Sequence, residues 1–170
     1  MDIWKNLLRL AYEEATKSLD PSTQNGALVV TRTGETTRIL GAGCNRFPRG
    51  VNDTTDRWND RALKYKLVHH AERSALGNAM RTQNIPHLDG HTLVCPWAAC
   101  TECAKQIIED GITALIIHKQ AHDRTPPASV WMDDIVVAHM ALREAGVNII
   151  VFDGIVNGPP IRHSGQYWNP

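Results

Sequence analysis

The sequence predicts an α/β fold, namely a three-layer α/β/α sandwich with a mixed five-stranded sheet. Near the start, two short apolar runs separated by a turn indicate an antiparallel hairpin. From about residue 91 onward, short apolar runs alternate with segments of helical period, which is typical of strands joined by helices in a partly parallel sheet. The length of 170 residues suits one domain with one core.

The first part of the chain predicts a helix and the hairpin. Apolar residues at helical spacing predict a helix over residues 3–17, and a loop with Pro and Gly follows at 20–26. Strands are expected at 27–31 and 37–44. Residues 45–60 are polar and rich in Gly, Pro and Asp, so we expect a long ordered loop there.

The second part alternates helices and strands. Helices are predicted at 61–80, with a break near the pair His69-His70, and at 101–110 and 130–144. Strands are predicted at 91–95, 113–118 and 147–152. Residues 154–170 show no clear periodicity of apolar residues. We therefore expect one domain over residues 1–153 and a C-terminal tail over 154–170.

Composition and charge exclude several classes of protein. Eighteen Lys and Arg balance eighteen Asp and Glu, so the chain lacks the positive surplus that binding to nucleic-acid backbones needs. No apolar run approaches the roughly 20 residues of a membrane span. The start, Met1–Lys5, lacks the basic-then-apolar order of a signal peptide. We expect a cytoplasmic protein with no nucleic-acid or membrane partner, in which four cysteines are too few for a disulfide scaffold.

Three residues are candidate metal ligands: His70, Cys100 and Cys103. The two cysteines lie three residues apart at a predicted helix start, so both thiolates can point the same way and the helix dipole favours their ionised form. Three protein ligands leave a fourth tetrahedral position for water, which is the pattern of a catalytic zinc site. Alternative fourth ligands, which would make the site structural, are Cys44, Cys95 and His69.

Glu72 favours the catalytic alternative. It follows His70 by two positions, so it is poorly placed as a fourth ligand but well placed to move a proton from water to a substrate nitrogen. Zinc lowers the pKa of bound water from about 15.7 to about 7. The arrangement matches the signature of zinc nucleobase deaminases, in which H-x-E precedes P-C-x-x-C. It predicts Zn²⁺ as cofactor and hydrolytic loss of ammonia as the reaction.

Further segments resemble one branch of these deaminases. Residues 70–72 (His-Ala-Glu) and 100–105 (Cys-Thr-Glu-Cys-Ala-Lys) are similar to the two zinc motifs of the cytidine and deoxycytidylate deaminase superfamily. Residues 20–24 (Asp-Pro-Ser-Thr-Gln) resemble the early loop of the deoxycytidylate branch. Residues 43–50 resemble its G-x-N-x-x-P-x-G loop, and 64–65 (Lys-Tyr) also match.

The resemblance implies a cytidine deaminase-like fold and conversion of dCMP to dUMP and ammonia, which supplies dTMP synthesis. It implies that His70, Cys100 and Cys103 bind Zn²⁺ and that Glu72 shuttles the proton. It also implies a homo-oligomer, either a hexamer or a dimer, with dCTP and dTTP as effectors.

The resemblance implies substrate-binding residues as well. Asn45 would contact the sugar, and the cytosine pocket would be lined by Ala71, Trp97 and Ala98. Arg46 and Arg49 lie in the loop at residues 43–50 and are candidates for holding a phosphate of the substrate or of an effector. A solvated loop is the alternative for these two arginines.

Four positions depart from the family pattern. Ala99 stands where Pro is usual, Ser74 where Asn is usual, Asn25 where Val is usual, and His69 where an apolar residue or Cys is usual. None of them removes a zinc ligand or the proton shuttle. Asn25, Ala99 and His69 fall near the expected pocket, so the sequence leaves the substrate and the effector response open.

Alternative functions follow from the same motifs. The zinc centre suits another substrate, such as dCTP, 5-substituted dCMP, guanine or a tRNA adenosine, although the charge balance weighs against tRNA. A different class is a non-catalytic, zinc-stabilised binding protein. Its zinc would be closed by a fourth protein ligand such as Cys95 or His69.

Overall fold

A computed structural model describes residues 3–170. Met1 and Asp2, on which the signal-peptide expectation partly rests, lie outside the described residues. The helices are α1 (Ile3–Ala15), α2 (Thr55–Asn59), α3 (Arg61–Leu67), α4 (Ala71–Gln83), α5 (Thr101–Glu109), α6 (Lys119–His122) and α7 (Val130–Glu144). The strands are β1 (Gly26–Thr33), β2 (Thr36–Cys44), β3 (Thr92–Val94), β4 (Ala114–His118), β5 (Asn148–Phe152), β6 (Ile161–His163) and β7 (Gln166–Trp168).

The central sheet has five strands in the order β2-β1-β3-β4-β5. β1 pairs antiparallel with β2 and with β3, whereas β3–β4 and β4–β5 are parallel. A register shift interrupts the first hairpin between Val29 and Val30. The prediction of a mixed five-stranded sheet is confirmed.

Alternate residues of the strands face two separate cores, as the period of two requires. On one face, Val29, Leu93 and Leu115 pack with α4, α5 and α7. On the other face, Leu28 and Ile116 pack with α1 and with residues of the C-terminal segment. The sheet is therefore covered on both sides, which gives the three layers that the sequence predicts.

Two glycines let helices lie unusually close to the sheet. A Cβ at Gly26 would lie 2.2 Å from the carbonyl oxygen of Ala11, and one at Gly43 would lie 2.6 Å from the backbone nitrogen of Ala75. Both positions have ordinary backbone angles, so lack of space accounts for these glycines. The contact at Gly43 fixes α4, whose N-terminal end carries part of the site described below.

Three features differ from the sequence-based expectations. The predicted loop at 45–60 contains the short helix α2, and a single turn of helix, α6, follows β4. The tail, which shows no period, forms the hairpin β6–β7. The predicted break near His69-His70 is confirmed, because α3 ends at Leu67 and α4 begins at Ala71. Within residues 3–170, no helix is long and apolar enough to span a membrane.

Candidate active site

Two helix starts bring the candidate metal ligands together. His70 is the residue immediately before α4, and Cys100 is the residue immediately before α5. Neither side chain caps its own helix by a hydrogen bond, so both are available to an ion. Asp134 of α7 binds the first residue of α5: it accepts hydrogen bonds from the backbone nitrogen (2.9 Å) and the hydroxyl (2.7 Å) of Thr101.

His70, Cys100 and Cys103 form a cluster whose ligand atoms all lie within 4.8 Å of one another. Each sulfur lies 3.4 Å from Nδ1 of His70. Tetrahedral zinc with ordinary bond lengths would separate such nitrogen and sulfur atoms by about 3.6 Å, so the cluster fits this ion. Among the described residues the cluster has no fourth member, and the alternative closing ligands Cys95 and His69 are not part of it.

The electrostatics of the cluster favour an ionised sulfur. A hydrogen bond with Cys103, supported by His70, lowers the pKa of Cys100 to about 4. Thiolate is the form of cysteine that binds metals. The imidazole and sulfur donors, with Cys100 ionised, therefore suit a soft divalent cation.

Glu72 lies in the first turn of α4 and is only 3% exposed. Burial raises the pKa of its carboxyl to about 6. Its Oε2 is buried and has no hydrogen-bond partner among residues 3–170. A buried carboxyl with one uncommitted oxygen can take up and release a proton near neutral pH.

The cluster lies at a cavity of about 730 Å³, a size typical of small-molecule sites. Loops 20–25 and 125–129, the segment 58–65 and the tip of the β6–β7 hairpin form its walls. The predicted site residues that line it are Asn45, His70, Ala71, Glu72, Trp97, Ala98 and Cys100. Cys103 belongs to the cluster and is fully buried.

Asn45 lines the cavity with most of its hydrogen-bonding capacity already used. Its Nδ2 donates to Oδ2 of Asp20 (3.2 Å) and to the carbonyl of Thr23 (2.9 Å), and its Oδ1 accepts from the backbone nitrogen of Asn25 (2.8 Å). Asp20 in turn forms a buried ion pair with Lys64 at 3.1 Å. One lone pair on Oδ1 of Asn45 is left for a ligand.

Arg46 and Arg49 do not line this cavity. Together with His69, Arg73 and Arg81 they line a separate surface depression of about 190 Å³, which we call the arginine depression. No acidic residue lines it within the described chain.

Sequence reasoning missed several residues of the cavity wall: Trp58, Tyr65, Trp131 and His163. Trp58, Trp131 and His163 belong to segments without a chemical motif. Tyr65 was noted only as part of the matching pair at 64–65, without a role at the site. Asn25 also lines the cavity, and its Nδ2 lies 3.3 Å from Sγ of Cys95. Asn25 was singled out in the sequence because it stands where Val is usual in the family.

Comparisons with known proteins agree with this geometry. The family model for the cytidine and deoxycytidylate deaminase zinc-binding region matches residues 1–119. The human deoxycytidylate deaminase is 30% identical over 151 residues, which cover 85% of this chain and 76% of the relative. An uncharacterized deaminase in the luxG 3' region of Aliivibrio fischeri is 32% identical over 145 residues, 85% of this chain and 90% of the relative.

The fold also matches solved structures. The apo crystal structure of the dCMP deaminase from cyanophage S-TIM5 superimposes with a TM-score of 0.62 at 22% sequence identity. The match covers 89% of this chain and 100% of that chain. The fold and the three-ligand cluster thus define a zinc-dependent hydrolytic deaminase. The chain belongs to the cytidine and deoxycytidylate deaminase family, and its cofactor is Zn²⁺.

Proposed function

We propose that the protein hydrolyses dCMP to dUMP and ammonia, a reaction that supplies dTMP synthesis. The observation that carries the proposal is the open His-Cys-Cys cluster beside the buried, unpartnered Oε2 of Glu72, at a cavity large enough for one nucleotide. The relatives named deoxycytidylate deaminase support this substrate over other nucleotides.

The metal ligands in this proposal are His70, Cys100 and Cys103. A zinc ion bound there would supply hydroxide at neutral pH by lowering the pKa of water to about 7. Imidazole and thiolate are the ligands that zinc favours, and three of them leave one coordination position free. The start of α5 is held by Asp134, which keeps Cys100 in register with His70.

Glu72 is the proton carrier of the proposal. Its Oε2 takes a proton from water and gives it to N3 of the cytosine as the water oxygen bonds to C4. It then takes the proton of the new C4 hydroxyl and gives it to the amine, which leaves as ammonia while the C4 carbonyl forms. Burial raises the pKa of this carboxyl to about 6, so its two protonation states are close in energy near neutral pH. That balance is what a group acting alternately as base and acid needs.

The substrate residues follow from the cavity. Backbone groups at Ala71 and at the Trp97-Ala98 turn border the position next to the metal ligands, where the cytosine would bind. Asn45 offers its remaining Oδ1 lone pair to a hydroxyl of the sugar. The Asp20–Lys64 pair fixes the orientation of that amide.

The test is the absorbance decrease of dCMP with zinc-loaded protein. Wild-type protein is expected to convert dCMP. Glu72→Gln should retain zinc but lose about 10²- to 10⁴-fold in kcat. The matched control is Glu102→Gln, because Glu102 lies between the two cysteines in sequence but is 66% exposed. If zinc-loaded wild-type protein leaves dCMP, dCTP and 5-substituted dCMP unchanged, the proposed substrate class is wrong.

The arginine depression supports a second proposal, binding of the effectors dCTP and dTTP. Guanidinium groups match phosphate oxygens in geometry and charge, and this depression offers four of them. Arg73→Ala with Arg81→Ala is expected to abolish any effect of dCTP or dTTP on turnover at saturating dCMP. Unchanged responses in this double variant would contradict the assignment. The homo-oligomer and the cytoplasmic location stay predictions.

A further inference from the structure

The C-terminal hairpin β6–β7 is bound tightly to the loop that carries Asp20. The backbone nitrogen of Gln24 donates to the carbonyl of Arg162 (2.9 Å), and the backbone nitrogen of Arg162 donates to Oε1 of Gln24 (3.0 Å). At the tip, the nitrogen of Ser164 donates to Oγ1 of Thr23 (3.2 Å), and the nitrogen of Gly165 donates to the carbonyl of Ser22 (2.8 Å). The hairpin is therefore an integral wall of the cavity.

Aromatic contacts hold the other end of the hairpin. Trp168 packs edge-on against Tyr12 and stacks on His118, with ring centroids 5.7 and 6.0 Å apart. The guanidinium of Arg124 lies 4.3 Å from the centre of the Trp168 ring. These contacts fix the hairpin to the opposite side of the sheet from α4 and α5, so its tip has a defined position at the cavity.

His163 is a residue of the hairpin whose aromatic side chain is available to a ligand. It lines the cavity, and its imidazole stacks on Trp97 with centroids 4.7 Å apart and ring planes 21° apart. Neither ring nitrogen makes a hydrogen bond to the described part of the protein. The stacking fixes the plane of the ring and leaves the nitrogens at its edge free to bind.

The charges around the cavity favour an anionic ligand at this position. Among the described residues, the carboxylates that line it are Asp20, which pairs with Lys64, and Glu72, which is buried beside the metal ligands. Arg124 lies close enough to His163 to act with burial in lowering the pKa of the imidazole. A neutral imidazole still donates one N–H, and the neighbouring guanidinium adds positive potential.

His163 and Asn45, the proposed sugar contact, are joined through one loop residue. Thr23 links the two, because its carbonyl accepts from Asn45 and its hydroxyl accepts from the backbone of Ser164. The phosphate is the charged group of the nucleotide and adjoins the sugar, so with the sugar at Asn45 it is the group that the positive potential around His163 attracts.

We propose that His163, presented by the C-terminal hairpin and stacked on Trp97, is the substrate-binding residue that donates a hydrogen bond to the 5′-phosphate of the deoxynucleotide. The inference rests on the proposed function for the identity of the nucleotide. It gives the tail a specificity role, which is to distinguish a nucleotide from a nucleoside.

The test measures binding of dUMP and of deoxyuridine, which differ only in the phosphate, by calorimetry on the zinc-loaded protein. In His163→Ala, the Kd for dUMP is expected to rise about ten- to a hundredfold, as for loss of a hydrogen bond to a charged group. The Kd for deoxyuridine is expected to stay within about twofold by the same reasoning. His87→Ala, an exposed histidine that does not line the cavity, is the matched control.

The outcomes separate the two proposals. The assignment of His163 is overturned if His163→Ala loses equal affinity for dUMP and deoxyuridine, or loses affinity for neither. It is also overturned if wild-type protein binds neither ligand. The assignment is also overturned if Arg61→Ala, which removes a guanidinium that lines the cavity, causes the phosphate-specific loss instead. A wild-type protein that binds dUMP through His163 but does not deaminate dCMP would contradict only the proposed function.

Discussion

Replacing Lys64 by Met removes one half of the ion pair buried below the candidate substrate site. Nζ of Lys64 lies 3.1 and 3.4 Å from the two carboxylate oxygens of Asp20, and the two side chains are 8% and 6% exposed. Asp20 also accepts hydrogen bonds from the backbone nitrogens of Ser22 and Thr23 and from the amide of Asn45. The substitution therefore leaves a buried carboxylate with its hydrogen bonds but without its countercharge.

The expected cost follows from this geometry. Two unit charges about 3 Å apart attract by about 5 kcal/mol at an effective dielectric constant of about 20. Removing one partner of a buried ion pair typically costs about 3–5 kcal/mol of stability. Because Asp20 keeps its other hydrogen bonds, we expect Lys64→Met to fall near the lower end, at about 3 kcal/mol. For a chain of this length, that loss corresponds to a decrease of about 8 °C in Tm.

Thermal unfolding followed by circular dichroism measures the effect. Lys66→Met is the matched control, because Lys66 is exposed on the same helix, and it should shift Tm by less than about 2 °C. The double variant Lys64→Met with Asp20→Asn should recover part of the loss, since no uncompensated charge is left. Equal Tm values for Lys64→Met and Lys66→Met would refute the reasoning.

Three further predictions concern the fold and the site. Gly26→Ala should lower the free energy of unfolding, measured with urea, by about 2 kcal/mol or more, because the new Cβ would overlap the backbone of α1. Gly77→Ala is the control, since a Cβ there meets nothing within 4 Å and should not lower the stability of the protein. Burial lowers the pKa of His118 below its usual 6.5. The unfolded chain then binds the proton more readily, so stability should be complete above about pH 6.5 and fall as the pH decreases below it; Tm values of wild type and His118→Gln at pH 7.5 and 5.5 test this, and parallel decreases would contradict it. Removing zinc with a chelator should abolish turnover and lower Tm, and added Zn²⁺ should restore both.

The sequence predicts most of the sheet and the metal cluster for physical reasons. Short continuous apolar runs, such as those around Val29 and Leu93, indicate strands that are buried on both faces, so the strands can be predicted from the pattern. His70 and Cys100 carry a chemical signal that is independent of packing. Their positions just before helices also followed from the chain, because each precedes a segment of helical period.

The rest depends on long-range contacts that have no local pattern. The hairpin β6–β7 forms because Arg162 and Ser164 bond to a loop about 140 positions earlier in the chain. The engagement of Asn45 is similar, since its partners Asp20 and Thr23 lie more than 20 positions away. Such pairings are decided by the folded topology, so His163 and its place at the cavity could not be found from the sequence.

The central claim is that an imidazole and two sulfurs hold zinc with one coordination position open to water, and zinc K-edge X-ray absorption tests it most directly. On zinc-loaded wild-type protein, this account predicts two sulfur ligands, one imidazole nitrogen and one oxygen from a water molecule. A spectrum fitted by four protein ligands with no oxygen, or by fewer than two sulfurs, would contradict it.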